Sequence, residues 1–317
     1  MVQRDSRVAV YYDDRQICRD VATSGSISKS PLKPALVLSE LQRLGITEAL
    51  EVQSFAPFEE RDFLVAHSIP YVDAFFAGRE PLCISNRIPW SAQLADSVRY
   101  TNASLYHAQR AALDNPSQIT FSPTSGFHHA TPHRGQGFCT FSGQVISAVK
   151  LYRELGVSGA WIDLDAHFGN SIEDSREFVR DLNRAIPIGC NLNPCGTHDE
   201  YLENLRIGLA DLKQRFLTGE IHWLAFAHGA DSHQGDDLGG HGQLTTAEWI
   251  TASRMVYRWL KELDGDLGRA VPLTLALFGG YREDDYASVI NLHVADFLMC
   301  LQELVSSKWQ FEVASET

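Results

Sequence analysis

No two of the six cysteines stand at Cys-x-x-Cys spacing; Cys18, Cys83, Cys139, Cys190, Cys195 and Cys300 are scattered along the chain. This removes the usual dithiol redox and thiolate-zinc patterns and predicts reduced thiols in a cytoplasmic compartment. Positive charge is also short: 27 Lys and Arg face 40 Asp and Glu, a formal net charge of −13. Such a chain repels nucleic acid and anionic membranes, so neither is an expected direct partner. A cationic substrate or basic peptide is attracted instead. No stretch reaches about 18 uninterrupted apolar residues, so no membrane span is expected. The opening MVQRDSRVAV is polar, and no signal peptide is expected. Internal repeats, low-complexity tracts and an obvious linker are missing too. The expectation is one domain over residues 1–317.

What is present suits a large core: 44% of the 317 residues are hydrophobic and 21% charged. Short apolar runs predict strands at 8–12, 118–124, 160–165, 186–192, 222–227 and 273–279. Amphipathic stretches predict helices at 34–45, 143–156, 199–217, 246–263 and 286–304. This alternation predicts an α/β domain, its mostly parallel multi-stranded sheet flanked by helices on both faces. Parallel sheets place their sites at the carboxyl ends of strands. Four polar clusters fall there: GFHHA (126–130), DLDAHFGN (163–170), HGADSHQGDDLGG (228–240) and GGYRED (279–284).

In WIDLDAHFGNS (161–171), Asp163, Asp165 and His167 occur at every second position. In extended chain these side chains face one way. Buried carboxylates require a cation or dense hydrogen bonding. One imidazole with carboxylates suits zinc or a similar divalent metal, and Asp231 is the best-placed further ligand. Two Asp and one His leave a coordination position open, as catalytic sites do. Taken singly, each piece has a plainer reading. DxDxH is a hydrogen-bonded turn, Asp231 a cap or turn residue, His128 and His129 loop or core histidines, and Tyr281 a partly buried aromatic. In combination, each supplies what another lacks.

The order GFHHA, GFC (137–139), DLDAHFGN, GADSHQGDDLGG and GGY resembles the zinc-dependent histone deacetylase superfamily. That superfamily includes bacterial acetoin-utilisation and acetylpolyamine amidohydrolase relatives. SPLKP (30–34) and FLVAHSIPYVDAF (63–75) resemble its N-terminal segment and early helix. DLDAHFGN with GTHDEYLENL (196–205) looks nearest to the class IV branch. The resemblance implies an arginase–deacetylase fold and one zinc per chain, held by Asp165, His167 and Asp231. It implies a structural potassium ion near the strand carrying Asp163. It matches His128 and His129 to a tandem-histidine pair, with Asp163 and Asn170 as their respective partners. Tyr281 matches the tyrosine that polarises the scissile carbonyl. Phe138 matches one tunnel wall, Gly137 its rim, and Gly279 and Gly280 the glycines before the tyrosine. The implied activity is hydrolysis of an acylated lysine side chain or acylated small amine. Metal-activated water attacks, His129 acts as general base and then acid, and His128 is held charged beside Asp163.

Departures narrow what the resemblance implies. Ser142 and Gly143 follow Phe141, Phe278 replaces a third glycine, and Ser171 stands for the glycine of GNG. Asn193 sits where many members carry a second aromatic wall. Asn86-Arg87-Ile88-Pro89 occupies the loop where many carry a substrate-gripping aspartate. The acyl group and amine are thus left open. Two alternatives stand beside the deacylase: an arginase-type binuclear manganese hydrolase, and a silent acyl-lysine reader. His228, His233 and His241 are expected as loop histidines, Cys139 as a small packed side chain and Lys33 as a solvated surface lysine. Glu283-Asp284-Asp285 is expected as a solvated loop.

Overall fold

The computed structural model describes residues 2–20, 26, 28–239, 243–306 and 308–309. In chain order its principal elements are β1 (Val8–Tyr11), α1 (Lys33–Arg43), β2 (Leu50–Gln53), α2 (Ile69–Phe76), α3 (Ala92–Asp114), β3 (Thr120–Ser122) and α4 (Gly143–Leu155). There follow β4 (Gly159–Asp163), β5 (Asn191–Leu192), α5 (His198–Leu217), β6 (Trp223–His228), α6 (Thr246–Leu267), β7 (Leu273–Leu277) and α7 (Tyr286–Cys300).

The strands form one seven-stranded sheet in the order β2-β1-β3-β7-β6-β4-β5. Every pairing is parallel. Strands β3, β4, β6 and β7 are buried at every position. A strand buried on both faces reads as a continuous apolar run, as GAWID and LTLAL do. Helices cover the sheet in two packed groups: α3 with α4, and α1, α5, α6 and α7 with one another. This single α/β domain is the expected fold class, with a sheet that is wholly parallel.

Local chemistry moves several boundaries. The strand expected at 186–192 shrinks to Asn191–Leu192, because Pro187 begins a turn closed by the Cys190 N–H on its carbonyl. The helix expected over 63–75 is two, Glu60–Phe63 and α2. Ser68 is extended, and Pro70 restarts the helix where a missing N–H costs nothing. The edge strand β2 and the 23-residue α3 lie outside the predicted elements. The segment Tyr286–Val305 is long and apolar enough to cross a membrane by length and composition, but 61% of its 18-residue apolar stretch is buried inside the protein. It is α7 with one further π turn, packed on α1 and α6.

An aromatic cluster anchors the loop before α4. Phe141 packs against Phe63, Tyr71, Phe75 and Phe76, with centroids 4.4–5.7 Å away. His67 lies against it and bonds both ends of segment 131–142. Its Nδ1 lies 2.9 Å from the Thr131 carbonyl, and its Nε2 accepts the Ser142 N–H at 2.8 Å. These partners require a neutral ring with the proton on Nδ1. Burial lowers its pKa from the usual 6.5 to about 3, against the opposing bond to Thr131.

The sign of the pH effect follows. Below pH 6.5 the unfolded chain binds a proton that folded His67 refuses until about pH 3. His67 therefore contributes stability that is full above 6.5 and lost as pH falls towards 3. In urea unfolding, wild type should lose up to about 1.4 kcal/mol per pH unit relative to His67→Gln across that window. Parallel stability curves for the two proteins would remove this role.

Candidate metal centre and active site

Four adjacent strands, β3, β7, β6 and β4, end on the same edge because all are parallel. Their C-terminal loops carry His128 and His129, then Tyr281, then Asp231, then Asp165 and His167. Strand β4 stops at Asp163. Beyond it the chain curls rather than staying extended. The Asp165 N–H donates to Asp163 Oδ1 at 3.1 Å, and the His167 N–H to Asp165 Oδ1 at 2.9 Å. These Asx turns correct the expectation that all three side chains face one way. Asp163 turns to His128, while Asp165 and His167 turn to Asp231.

One ligand atom each from Asp165, His167 and Asp231 lie within 4.8 Å of one another. His167 Nδ1 is 3.1 Å from Asp165 Oδ1 and 3.0 Å from Asp231 Oδ2. Both carboxylates are buried. Backbone N–H groups aim them: Gly279 donates to Asp165 Oδ2 at 2.8 Å, and Ala166 to Asp231 Oδ1 at 3.2 Å. A Cβ on Gly279 would lie 2.1 Å from Asp231 Oδ2 and 2.6 Å from Asp165 Oδ2. Only a residue without a side chain leaves this cradle open.

The electrostatics describe a site short of positive charge. Burial and repulsion from Asp165 raise Asp231 to about 7. Hydrogen bonds donated by its ring to Asp165 and Asp231 raise His167 to about 10. A divalent cation would take the place of the protons held there, and the donor set of one imidazole and two carboxylates fits it. Among the described residues this is the one such group of His, Cys, Asp and Glu.

Tandem histidines sit beside it with opposite tendencies, their ring centroids 4.1 Å apart. His128 Nδ1 meets Asp163 Oδ2 at 3.0 Å. Burial opposes its charge, yet Asp165 and Asp163 lift it to about 9. His129 Nδ1 meets Asn170 Oδ1 at 2.7 Å. Burial and the neighbouring His128 charge lower it to about 4. One ring is built to carry a proton and the other to accept one.

Tyr281 completes the wall. Its ring lies 5.5 Å from Phe138, and both share one cavity with His128, Gly137 and Gly279. Burial and the two aspartates hold its hydroxyl well above 10, so it is a proton donor at neutral pH. Its N–H donates to Asp236 Oδ2 at 2.6 Å, and the Glu283 N–H to Asp237 Oδ2 at 2.8 Å. The Asp237 N–H returns to the Tyr281 carbonyl at 3.2 Å. These stitches tie the tyrosine loop, with Gly280 at φ 139°, to the loop that carries Asp231. Gly137 lies against the His129 ring. Neither Asp236 nor Asp237 stood out in the sequence, because their partners are backbone groups.

Several other expectations change. Lys33 is fully buried, not solvated; its ammonium donates to the carbonyls of Phe278 and Gly279. It opens α1, which packs on α7, and this packing carries it under the end of β7. Burial lowers its pKa to about 8 against the pull of Asp231 and Asp165. His228 is buried, not a loop histidine; it stacks on Trp249 at 3.7 Å and bonds Ser253 at 2.9 Å. His233 is half-buried and bonded to Thr246, while His241 lies outside the described residues. Asn86 is buried, and its amide donates to Thr140 Oγ1 at 2.8 Å. Its main-chain carbonyl accepts the Phe138 N–H at 2.9 Å, so this loop holds Phe138 in place. Cys139 is packed, its thiol pushed well up by burial. Glu283, Asp284 and Asp285 are exposed, as expected.

Comparison with known proteins agrees with this frame. The profile of the histone deacetylase domain family matches residues 28–181, a stretch that includes the tandem histidines and the DLDAHFGN segment. The chain is similar to histone deacetylase 2 of Arabidopsis thaliana, 29% identical over 49% of this chain and 42% of that protein. It is similar to the chloroplastic histone deacetylase 14 of the same plant, 27% identical over 59% and 48%. It also resembles a histone deacetylase-like amidohydrolase of Pseudomonas aeruginosa, 24% identical over 67% and 62%. The matches thus span about half the length of these curated relatives. The crystal structure of the HDA15 HD domain superposes with a TM-score of 0.69 at 15% identity, covering 95% of this chain and 90% of that one. Residues 28–181 thus match the histone deacetylase domain family, and the chain has the arginase–deacetylase fold.

The cradle makes a direct prediction. Gly279→Ala places a methyl group against both carboxylates and should abolish binding of a divalent cation, read by metal analysis after dialysis. Far-UV circular dichroism should stay unchanged. Full metal content in that variant would show that the ion sits elsewhere.

Proposed function

We propose that this chain is a zinc-dependent deacylase that hydrolyses the amide of an acylated lysine side chain or an acylated small amine. The observation that carries the reading is the pairing of a cation cradle with two histidines of opposite proton affinity, next to a buried tyrosine hydroxyl. When bound, zinc would supply Lewis acidity towards the amide carbonyl and a lowered pKa for water. Asp165, His167 and Asp231 would hold it.

The chain's own groups account for the proton traffic. His129 is neutral at pH 7, with its Nε2 lone pair free once Nδ1 donates to Asn170. It removes the proton from water and returns it to the leaving amine. His128 stays charged beside Asp163 and offsets negative charge gathering in the site. The Tyr281 hydroxyl donates to the oxygen that develops charge. Phe138 lines the path of the acyl chain, and Gly137 and Gly280 let the surrounding backbone approach. The negative net charge favours a substrate that releases a cationic amine.

Asn193 argues against a narrow second aromatic wall. It is half-buried and engaged with Gly169 and Asn191, and it borders a separate cavity of about 190 Å³ beside Asp165 and Phe168. A binuclear manganese site would need a second carboxylate cluster, and the described residues hold one.

The test is turnover by purified protein of known metal content on a panel of acyl-lysine peptides and acylated polyamines. One zinc per chain with turnover lost to chelation and regained with zinc supports the reading. Loaded protein inert on the whole panel overturns it. Tyr281→Phe should keep its zinc yet lose about 10²–10³ in kcat; unchanged turnover would remove the tyrosine from the chemistry.

A further inference from the structure

His129 depends on a partner that is electrically neutral and can face either way. An amide offers an acceptor oxygen on one side and a donor nitrogen on the other. If Asn170 presented its oxygen, His129 would carry the proton on Nδ1 and keep Nε2 free. If it presented its NH2, Nδ1 would have to accept, and the neutral ring's proton would move to Nε2, where it blocks base action. Asn170 alone does not choose between these states.

A second carboxylate makes the choice. Asn170 Nδ2 donates to Asp174 Oδ2 at 2.6 Å, while Asn170 Oδ1 lies 2.7 Å from His129 Nδ1. A carboxylate only accepts, so the NH2 must face Asp174 and the oxygen must face His129. Asp174 is exposed, one turn into the short helix that begins after Asn170. Its N–H also bonds the Asn170 carbonyl at 2.8 Å, which holds the two residues in register.

The residue before Asn170 is gripped from both sides. The Gly169 N–H donates to Asn193 Oδ1 at 2.7 Å, and its carbonyl accepts from Asn191 Nδ2 at 3.1 Å. A Cβ here would lie 2.4 Å from Asp163 Oδ2, so only glycine lets the backbone pass. The peptide that delivers Asn170 is thereby fixed against both histidine partners.

We propose that Asp174 is a positioning residue: it locks the Asn170 amide so that His129 holds its proton on Nδ1 and presents Nε2 as the base. The proposal rests on the deacylase reading for its kinetic consequence, but the tautomer itself is measurable without turnover. Asp174→Asn replaces an acceptor with a group that both donates and accepts, which frees Asn170 to turn over. Asn170→Ala removes the amide altogether, so in that background Asp174 has nothing left to decide.

The experiment combines ¹⁵N NMR of the imidazoles, assigned through His129→Gln, with kinetics of zinc-loaded protein. Wild type should show His129 with a protonated Nδ1. Asp174→Asn should show a mixture of tautomers and a fall in kcat of at least about ten-fold with KM unchanged. Adding Asp174→Asn to Asn170→Ala should change kcat by less than about two-fold. An unchanged tautomer in Asp174→Asn overturns the proposal whatever kcat does. An equal loss of kcat in both backgrounds overturns it too, because that marks a merely structural role. If wild type is inert on every substrate, the deacylase reading fails and the NMR arm still decides the tautomer.

Discussion

Two carboxylates, Asp165 and Asp231, stand against each other where almost no water reaches them. Water would screen such a pair; a protein interior does not, and each charge raises the other's cost. Much of the surrounding architecture answers that repulsion. Backbone N–H groups of Gly279 and Ala166 point at the oxygens, the His167 ring lies between them, and the Lys33 ammonium is held nearby. The parallel sheet makes this possible by bringing four strand ends to one edge, so that residues over a hundred positions apart share one site. The need left over is for a cation.

From that need the division of labour in the tandem histidines follows. His128 sees the carboxylates directly and keeps its proton, while His129 sees His128 and an amide and gives its proton up. The same sequence dipeptide is thus split into a charged ring and a neutral one by what each ring faces. Tyr281 is placed by backbone bonds to Asp236 and from Asp237, so its position is tied to the loop of Asp231 and not left to a flexible tip.

Much of this was legible in the sequence where burial writes itself as pattern. Strands β4, β6 and β7 stood out as apolar runs, and the polar residues just beyond them marked the site. The misses have physical causes. Helix α3 buries Leu94, Val98 and Leu105, but Ser97, Asn102, Ser104 and Gln109 are buried among them and break up the apolar stripe. Lys33 looked solvated because its partners are two carbonyls some 245 residues away. Asp174 and Asp236 were invisible because neither belongs to an apolar pattern and their bonds depend on loop geometry. The two-residue period of Asp163, Asp165 and His167 pointed to the right residues for the wrong reason, since the strand ends at the first of them.

The central claim is a single cation held by Asp165, His167 and Asp231. Anomalous diffraction at the zinc edge, from crystals of zinc-loaded protein, tests it most directly. The account predicts one strong peak per chain, about 2.0–2.2 Å from a carboxylate oxygen of each aspartate and from Nδ1 of His167. A peak away from these residues, two peaks in the site, or none at full loading would contradict it.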